Sequence, residues 1–304
     1  MARYEFETVD VFTGTRFGGN PLAVFPDARG MDAATMAALA REFNLSETTF
    51  VLPPDDPAHR ARVRIFGLRE ELPFAGHPNV GTAFVLARRE AAAVARYIFE
   101  ELAGLVSVEV LRDGAGRVGG ALVAAPLPLR LGAEVPVELI AAGAGLAAAD
   151  VLTGLHAPVI ASVGTAFAIA EVTAAALGRA EPEIGALRAA AARFPAAPGF
   201  KLLLHAVPAA APLGAPLGTD GRRRARMFAP LTGVVEDAAT GSAAAALAGL
   251  LLARGGGGAV VVEQGAAIGR PSRIEARAAR RADGAIMASV AGACVPVMRG
   301  EVVV

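Results

Sequence analysis

Two glycine-bearing turns are the segments of this chain best suited to binding a small anion. The first contains Gly76-His77 and the second contains Gly241-Ser242. Each turn follows an Arg-x-Phe run and an acidic residue, and each begins an apolar run typical of a helix. The N–H groups at a helix start have no intrahelical partners and lie at the positive end of the helix dipole, so they favour a carboxylate or a phosphate. The repetition predicts two related halves that together hold one small acidic ligand.

Three ionisable residues near these turns could act on such a ligand. Glu47 stands between the predicted end of a helix and an apolar strand. Burial there would raise the pKa of its carboxyl group and let it move a proton at neutral pH. The alternative is an ordinary surface carboxylate at the edge of a sheet. His77 could be a neutral imidazole beside the substrate or a helix-capping residue. Asp237 could accept a hydrogen bond from a substrate amine or hydroxyl, or be an ordinary carboxylate favoured by the helix dipole.

The elements around these residues are predicted to be strands and helices. Asp32 can cap a helix that Asn44 ends, and the polar–apolar alternation from Arg60 predicts a strand. The run after Gly241 is apolar on every side, which predicts a helix enclosed by a sheet. Other strands are predicted over 4–12, 21–25, 48–52, 105–111, 121–124, 158–171, 200–207, 259–263, 273–277 and 285–291, and helices over 137–146 and 183–194.

Two further motifs are better explained by structure than by ligand binding. The Gly114–Gly119 segment matches G-x-G-x-x-G, but a dinucleotide site needs a helix there, and a short strand and two prolines follow instead. A hairpin turn is therefore predicted. The run Arg222-Arg223-Arg224 could bind phosphate, but in a neutral protein a solvated loop over 209–224 is the favoured prediction.

Composition narrows the classes of function. A chain of 304 residues, 54% hydrophobic and with zero formal net charge, fits two domains and argues against a nucleic-acid partner. The longest apolar run, 243–253, is too short to span a bilayer, and no signal peptide is visible, so a soluble cytoplasmic protein without a membrane partner is expected. The single cysteine, Cys294, excludes an internal disulfide. The histidines are scattered, and neither a metal nor a cofactor is expected.

A series of strings along the chain resembles the phenazine-biosynthesis PhzF-like family. The strings include Asp10-Val11-Phe12-Thr13, Gly19-Asn20-Pro21, Asn44-Leu45-Ser46-Glu47, Ala75-Gly76-His77-Pro78, Glu236-Asp237-Ala238-Ala239-Thr240-Gly241-Ser242, Gln264-Gly265 and Gly269-Arg270-Pro271-Ser272. The resemblance implies a diaminopimelate-epimerase-like α+β fold of two similar domains. In each domain a curved, mostly antiparallel sheet wraps around a central helix, and the site lies in the cleft between the domains. With a linker at Pro126–Pro128, the expected domains are 1–127 plus about 292–304, and 128–291.

The resemblance also implies a cofactor-independent isomerase of a small carboxylate-bearing substrate, acting as a homodimer. Carried over by position, the family's acid/base role falls on Glu47. The implied substrate-binding residues are Gly76, His77, Asp237, Gly241 and Ser242. Two alternatives stay open: an epimerase or racemase with a second, non-thiol base, and a non-catalytic protein that binds small acids. Related epimerases use two facing thiols, which one cysteine cannot supply. Among the departures from the family pattern, Asn79 replaces a common threonine, and substrate identity stays open.

Overall fold

The computed structural model describes residues 1–90, 93–208 and 221–304, which form two compact units. Unit 1 comprises Met1–Pro126 and Val290–Val304, and unit 2 comprises Leu127–Ser289. In each unit a mostly antiparallel sheet surrounds one buried helix, which confirms the predicted α+β fold class. Within the described residues, no helix is both long and apolar enough to cross a membrane.

Unit 1 closes its sheet around a central helix. Its elements are β1 (Arg3–Val11), β2 (Asn20–Phe25), α1 (Ala33–Phe43), β3 (Glu47–Leu52), β4 (Ala61–Gly67), β5 (Glu71–Leu72), α2 (Gly76–Arg89), β6 (Arg96–Glu101), β7 (Gly104–Arg112) and β8 (Val118–Ala124), with most of β18 (Ile286–Val303). Strands pair in the order β18, β1, β2, β3, β4, β6, β7 and β8, and β8 pairs again with β18. The ring of strands leaves α2 in the middle.

Helix α2 is buried on every side, although its sequence carries polar residues. The sequence pattern predicts one apolar face, but every residue from Gly76 to Ala87 is buried. The Thr82 and Thr49 hydroxyls satisfy one another at 2.9 Å. A side chain at Gly81 would come within 2.6 Å of Leu22, so glycine there lets the helix approach the sheet. Because the closed sheet covers all faces, the helix's polar groups need partners inside the unit.

Unit 2 follows the same plan around helix α6. Its elements are β9 (Arg130–Glu134), α3 (Val137–Gly143), β10 (Val151–Leu152), β11 (Val159–Ser162), β12 (Ala166–Val172), α4 (Ala174–Arg179), α5 (Ile184–Arg193), β13 (Leu202–Ala206), β14 (Arg222–Ala229), β15 (Val234–Asp237), α6 (Gly241–Ala253), β16 (Ala259–Gln264), β17 (Ser272–Arg280) and the start of β18, with short 3₁₀ turns at Ala148–Asp150, Pro230–Thr232 and Ala266–Ile268. Pairs β12–β13 and β14–β16 are parallel, and β9–β11, β11–β12, β13–β14, β14–β15 and β16–β17 are antiparallel. The enclosed helix predicted after Gly241 is confirmed.

Two predictions for unit 2 are wrong. The single strand predicted over 158–171 is a hairpin of β11 and β12, with Gly164 at φ 138° in the turn. Both strands are buried and therefore apolar, so the sequence shows one continuous apolar run with no clear sign of the turn. The solvated loop predicted at Arg222–Arg224 is the beginning of β14, and Arg223 is only 2% exposed. The rest of that predicted loop, 209–220, lies outside the described residues.

One ion pair occurs at the same place in both units and accounts for the repeated Arg-x-Phe run. Arg64 donates to Glu71 through Nε at 2.7 Å and Nη2 at 2.6 Å, and its guanidinium lies 5.0 Å from a phenylalanine ring. Arg226 donates to Glu236 in the same two-point manner, at 2.9 and 2.6 Å, and also lies 5.0 Å from a phenylalanine ring. Each of these two-point ion pairs, called a fork below, joins a strand to the segment that leads into the unit's central helix.

A buried histidine pair lies in unit 2. His156 Nδ1 donates to Ala157 O at 2.8 Å, so in a neutral His156 ring Nε2 accepts from His205 Nε2, 3.0 Å away. One of the two Nε2 atoms must accept in this pattern, so the two rings cannot both be protonated. Burial lowers the pKa of His156 and holds that of His205 well below its usual value. Glu171, also buried, has its pKa raised by burial.

The histidine pair should make the fold sensitive to acid. The two histidines become protonated near pH 6.5 in the unfolded chain, whereas they stay neutral to lower pH in the folded protein. The free energy of unfolding therefore decreases as the pH falls below about 6.5. A histidine that stays neutral contributes up to about 2 kcal/mol of this loss between pH 6.5 and 5. The double variant His156→Leu/His205→Leu should therefore lose less stability than the wild type between pH 7 and 5 in urea titrations. Equal losses in the two proteins would contradict the assignment.

Candidate active site

The start of α2 brings two of the predicted residues together. His77, the second residue of α2, is 4% exposed, and Glu47 is the first residue of β3. His77 Nε2 lies 3.4 Å from Glu47 Oε2. The Glu47 side chain is 19% exposed to solvent. The imidazole thus lies next to a carboxyl group that is partly exposed to solvent.

The position of the His77 proton follows from its neighbours. Ser46 Oγ donates to Asn20 Oδ1 at 3.1 Å, which leaves the Asn20 amide nitrogen facing His77 Nδ1 at 3.4 Å. An amide nitrogen can only donate, so Nδ1 accepts and the neutral imidazole carries its proton on Nε2. The Nε2–H therefore lies on the side of the ring that approaches Glu47, where it favours negative charge on the carboxyl group.

Helix α2 begins without a side-chain cap. Its N-cap residue is Ala75, which has no polar side chain, and its first turn holds no acidic residue. No carboxylate in the first turn of the helix therefore offsets the positive end of its dipole. An anion, or negative charge that develops on a substrate, is favoured at such a position.

The start of α6 in unit 2 is also uncapped, because its threonine is used elsewhere. Thr240 Oγ1 donates to Asp237 Oδ2 at 2.6 Å and accepts from Gln264 Nε2 at 3.0 Å. Gln264 Nε2 also donates to Asp237 O at 2.8 Å. Thr240 makes no capping bond to the helix, which opens with Gly241 and a partly exposed Ser242. This network fixes the Asp237 carboxylate next to a helix start that suits an anion.

The single cysteine is unsuited to base catalysis. Cys294 lies in the part of β18 that belongs to unit 1, and burial raises the pKa of its thiol far above the usual range. A buried neutral thiol is a poor proton acceptor and a poor nucleophile. Among the described residues, no three His, Cys, Asp or Glu side chains are grouped so that they could hold a metal ion.

The predicted site residues form one group in each unit. Unit 1 contains Glu47, Gly76 and His77, and unit 2 contains Asp237, Gly241 and Ser242. The sequence analysis assigned no role to two side chains that orient these groups, Asn20 and Gln264. Both stand inside the strings that carry the family resemblance. That position is the one signal that could have identified them, because neither lies in a periodic pattern.

Comparison with known proteins gives consistent results along the whole chain. A family model described as phenazine biosynthesis-like protein matches residues 9–300. The trans-2,3-dihydro-3-hydroxyanthranilate isomerase of Pseudomonas chlororaphis is 37% identical over 304 residues, which cover 99% of each chain. The structure of a predicted epimerase from Pseudomonas aeruginosa is 34% identical, with a TM-score of 0.80 over 99% of each chain. A PhzF-family phenazine biosynthesis protein from Bacillus anthracis, 21% identical, shares the fold with a TM-score of 0.85 over 100% of each chain.

Proposed function

Because the chain belongs to the phenazine biosynthesis-like (PhzF-like) family and is an isomerase, we propose that it moves a proton within a small carboxylate-bearing substrate, without a cofactor. The observation that carries this proposal is the 3.4 Å approach of His77 Nε2 to Glu47 Oε2 beside the uncapped start of α2. A proton acceptor, a group that stabilises its charge and a site for developing negative charge thus lie together in unit 1.

Glu47 is the proposed acid and base. The ionised carboxylate removes a proton from one substrate carbon. The electron pair left behind forms a new double bond, and the electrons of the original double bond shift towards a second carbon. The neutral Glu47 then returns the proton to a second carbon on the same face. His77, which donates through Nε2, stabilises the ionised carboxylate before and after each cycle. The dipole of α2 favours the negative charge that develops while the proton is on Glu47.

The helix start in unit 2 is the proposed anchor for the substrate. The N–H groups at Gly241 and Ser242 would bind the substrate carboxylate, and Asp237 would accept a hydrogen bond from a substrate amine or hydroxyl. A single small substrate can use both helix starts only where a cleft between the two units brings them together, and that cleft is part of the proposal. The name of the Pseudomonas chlororaphis relative suggests a small cyclic amino acid as the substrate class.

Isotope transfer tests the single-base mechanism. Trans-2,3-dihydro-3-hydroxyanthranilate carrying deuterium at the carbon that loses the proton is a suitable first probe. One carboxylate shielded from water should carry part of the label to the acceptor carbon, and mass spectrometry together with NMR of the product would detect it. Product without any transferred label, formed by an enzyme that still needs Glu47, would contradict a single shielded base.

An epimerase with a second, non-thiol base is the alternative, and the 34% identity to a predicted epimerase favours considering it. It makes a different prediction in the same experiment, because the labelled carbon would be inverted and would take its new proton from solvent. Binding of the probe without any turnover would instead support a protein that only binds small acids.

A further inference from the structure

A buried amide in unit 2, that of Gln264, contacts the segment that leads into α6 and takes no part in the mechanism above. Gln264 is the last residue of β16, the only glutamine of the chain, and 2% exposed. Its Oε1 accepts from Thr240 N at 3.3 Å, while its Nε2 donates to Asp237 O at 2.8 Å and to Thr240 Oγ1 at 3.0 Å. One side chain thus hydrogen-bonds to both ends of the segment 237–240.

The direction of each of these hydrogen bonds follows from the backbone partners of Gln264. Thr240 N–H can only donate and Asp237 O can only accept, so Oε1 faces the first and Nε2 faces the second. Nε2 therefore also donates to Thr240 Oγ1, and the hydroxyl proton is left for Asp237 Oδ2, 2.6 Å away. This length is typical of a hydroxyl that donates to an ionised carboxylate. The Thr240 hydroxyl is thus held between two side chains.

Thr240 is also the N-cap residue of α6, where a threonine hydroxyl ordinarily accepts from the second or third N–H of its helix. Thr173 does so at the start of α4 in the same unit, where its Oγ1 accepts from Ala176 N at 3.1 Å. The corresponding donors of α6 are Ser242 N and Ala243 N, but Thr240 makes no such bond. The hydroxyl that would cap α6 is already bound by other side chains.

We propose that Gln264 is a positioning residue that keeps the start of α6 open for a substrate carboxylate by keeping the Thr240 hydroxyl from capping the helix. While its Nε2 donates to the hydroxyl and Asp237 accepts from it, the N–H groups of Ser242 and Ala243 are left for a ligand. This inference rests on the proposed function, in which the α6 start binds the substrate carboxylate. It adds the reason why that start stays open although a threonine stands at the N-cap.

Loss of the amide should turn the threonine into a competitor of the ligand. In Gln264→Leu the Thr240 hydroxyl, which is buried, loses its donor, and the first N–H groups of α6 are the donors that an N-cap hydroxyl reaches. A carboxylate must then displace the cap before it can bind. Because a cap of this kind typically changes an equilibrium constant by about five- to tenfold, carboxylate binding should weaken by that factor.

Benzoate, a ring carboxylate without an amine, is a suitable probe because it needs no hydrogen bond to Asp237. Its dissociation constant can be measured from the backbone amide signals of residues 241–243 in NMR titrations at constant ionic strength. We expect the dissociation constant of Gln264→Leu to be about five- to tenfold above that of the wild type. Without ligand, the amide proton of Ser242 or Ala243 in this variant should show the reduced temperature dependence of a hydrogen-bonded N–H.

A second mutation separates capping from general damage to the segment. Thr240→Val keeps the shape of the side chain and removes the hydroxyl, so it cannot cap α6. If Gln264 acts through that hydroxyl, adding Gln264→Leu to Thr240→Val should change the dissociation constant of benzoate by less than about twofold. A side chain with only a structural role would weaken binding equally in both backgrounds. Glu263→Gln, at the preceding and more exposed position of β16, is the matched control and should bind benzoate as the wild type does.

Two results would overturn the proposal. Wild-type affinity for benzoate in Gln264→Leu would show that the amide does not keep the helix start open. A loss of affinity that Thr240→Val does not relieve would show that Gln264 only supports the fold of the segment. Gln264→Met, which keeps an unbranched side chain of similar length, answers the same questions if Gln264→Leu does not fold. If the wild type binds no benzoate at residues 241–243, the proposed substrate anchor fails, whereas the amide signals of the ligand-free variants still decide whether Gln264 controls the cap.

Discussion

Glu47→Gln is expected to reduce turnover by about 10²–10⁴-fold, the contribution typical of a positioned acid or base. Glutamine keeps the size of the side chain, and its amide oxygen can still accept the Nε2–H of His77, so the fold and the local hydrogen bonding should survive. It cannot take up or release a proton at any accessible pH. The measurement is kcat on the substrate that the wild type converts, with binding followed separately by the shift in melting temperature.

Glu42→Gln is the matched control for this variant. Glu42 is an exposed residue of α1, only five positions before Glu47, and has no place in the proposed site. Its replacement should leave kcat unchanged. Near-normal turnover by Glu47→Gln would refute the proposed mechanism, whereas a variant that binds the substrate normally and converts it very slowly would support it.

Arg226→Ala should destabilise the protein by about 3–5 kcal/mol, the cost typical of breaking a buried ion pair. The Arg226 and Glu236 side chains are 14% and 7% exposed, so removal of the guanidinium leaves a carboxylate largely shielded from water. Arg226 Nη1 also donates to Ala180 O at 2.5 Å, and this carbonyl would lose its partner. Urea unfolding followed by circular dichroism measures the change.

Arg64→Ala provides the internal comparison, because the same fork in unit 1 is more exposed. The Arg64 and Glu71 side chains are 26% and 22% exposed, and a pair that water can reach contributes about 1 kcal/mol or less. We therefore expect a clearly smaller loss for Arg64→Ala. Equal losses for the two variants would show that burial does not set the strength of the fork. Adding Glu236→Gln to Arg226→Ala should recover part of the lost stability, since no unpaired buried charge remains.

Elements with a strong local signal could be predicted from the sequence. The thirteen residues of α6 are apolar on nearly every side, and a helix of that kind must be enclosed whatever surrounds it. Asp32 and Asn44 delimit α1 as expected, since Asp32 accepts from Thr35 N and Asn44 adopts φ 52°. The Gly-rich hairpin turn before β8 also follows from local chemistry, because Asp113 accepts from the N–H groups of Ala115 and Arg117.

Elements that depend on distant partners could not be predicted in this way. Helix α2 has an amphipathic sequence but is buried because a closed ring of strands covers it. Arg223 belongs to a charged run, yet it is buried in β14 between β13 and β16. Local hydropathy does not report which strands will pair around a segment, since those contacts join residues far apart in the chain.

The sequence by itself determined the residue types of the candidate site, the two glycine turns, the single cysteine and the family. Such features are local strings, and a string can be recognised without coordinates. Only the tertiary structure decided that His77 Nε2 lies 3.4 Å from Glu47 Oε2, and that Asn20 sets the His77 tautomer. A hydrogen bond or a desolvated carboxyl depends on distances of a few ångströms between residues that the chain separates by up to 57 positions, as for Asn20 and His77, and only folding brings them together.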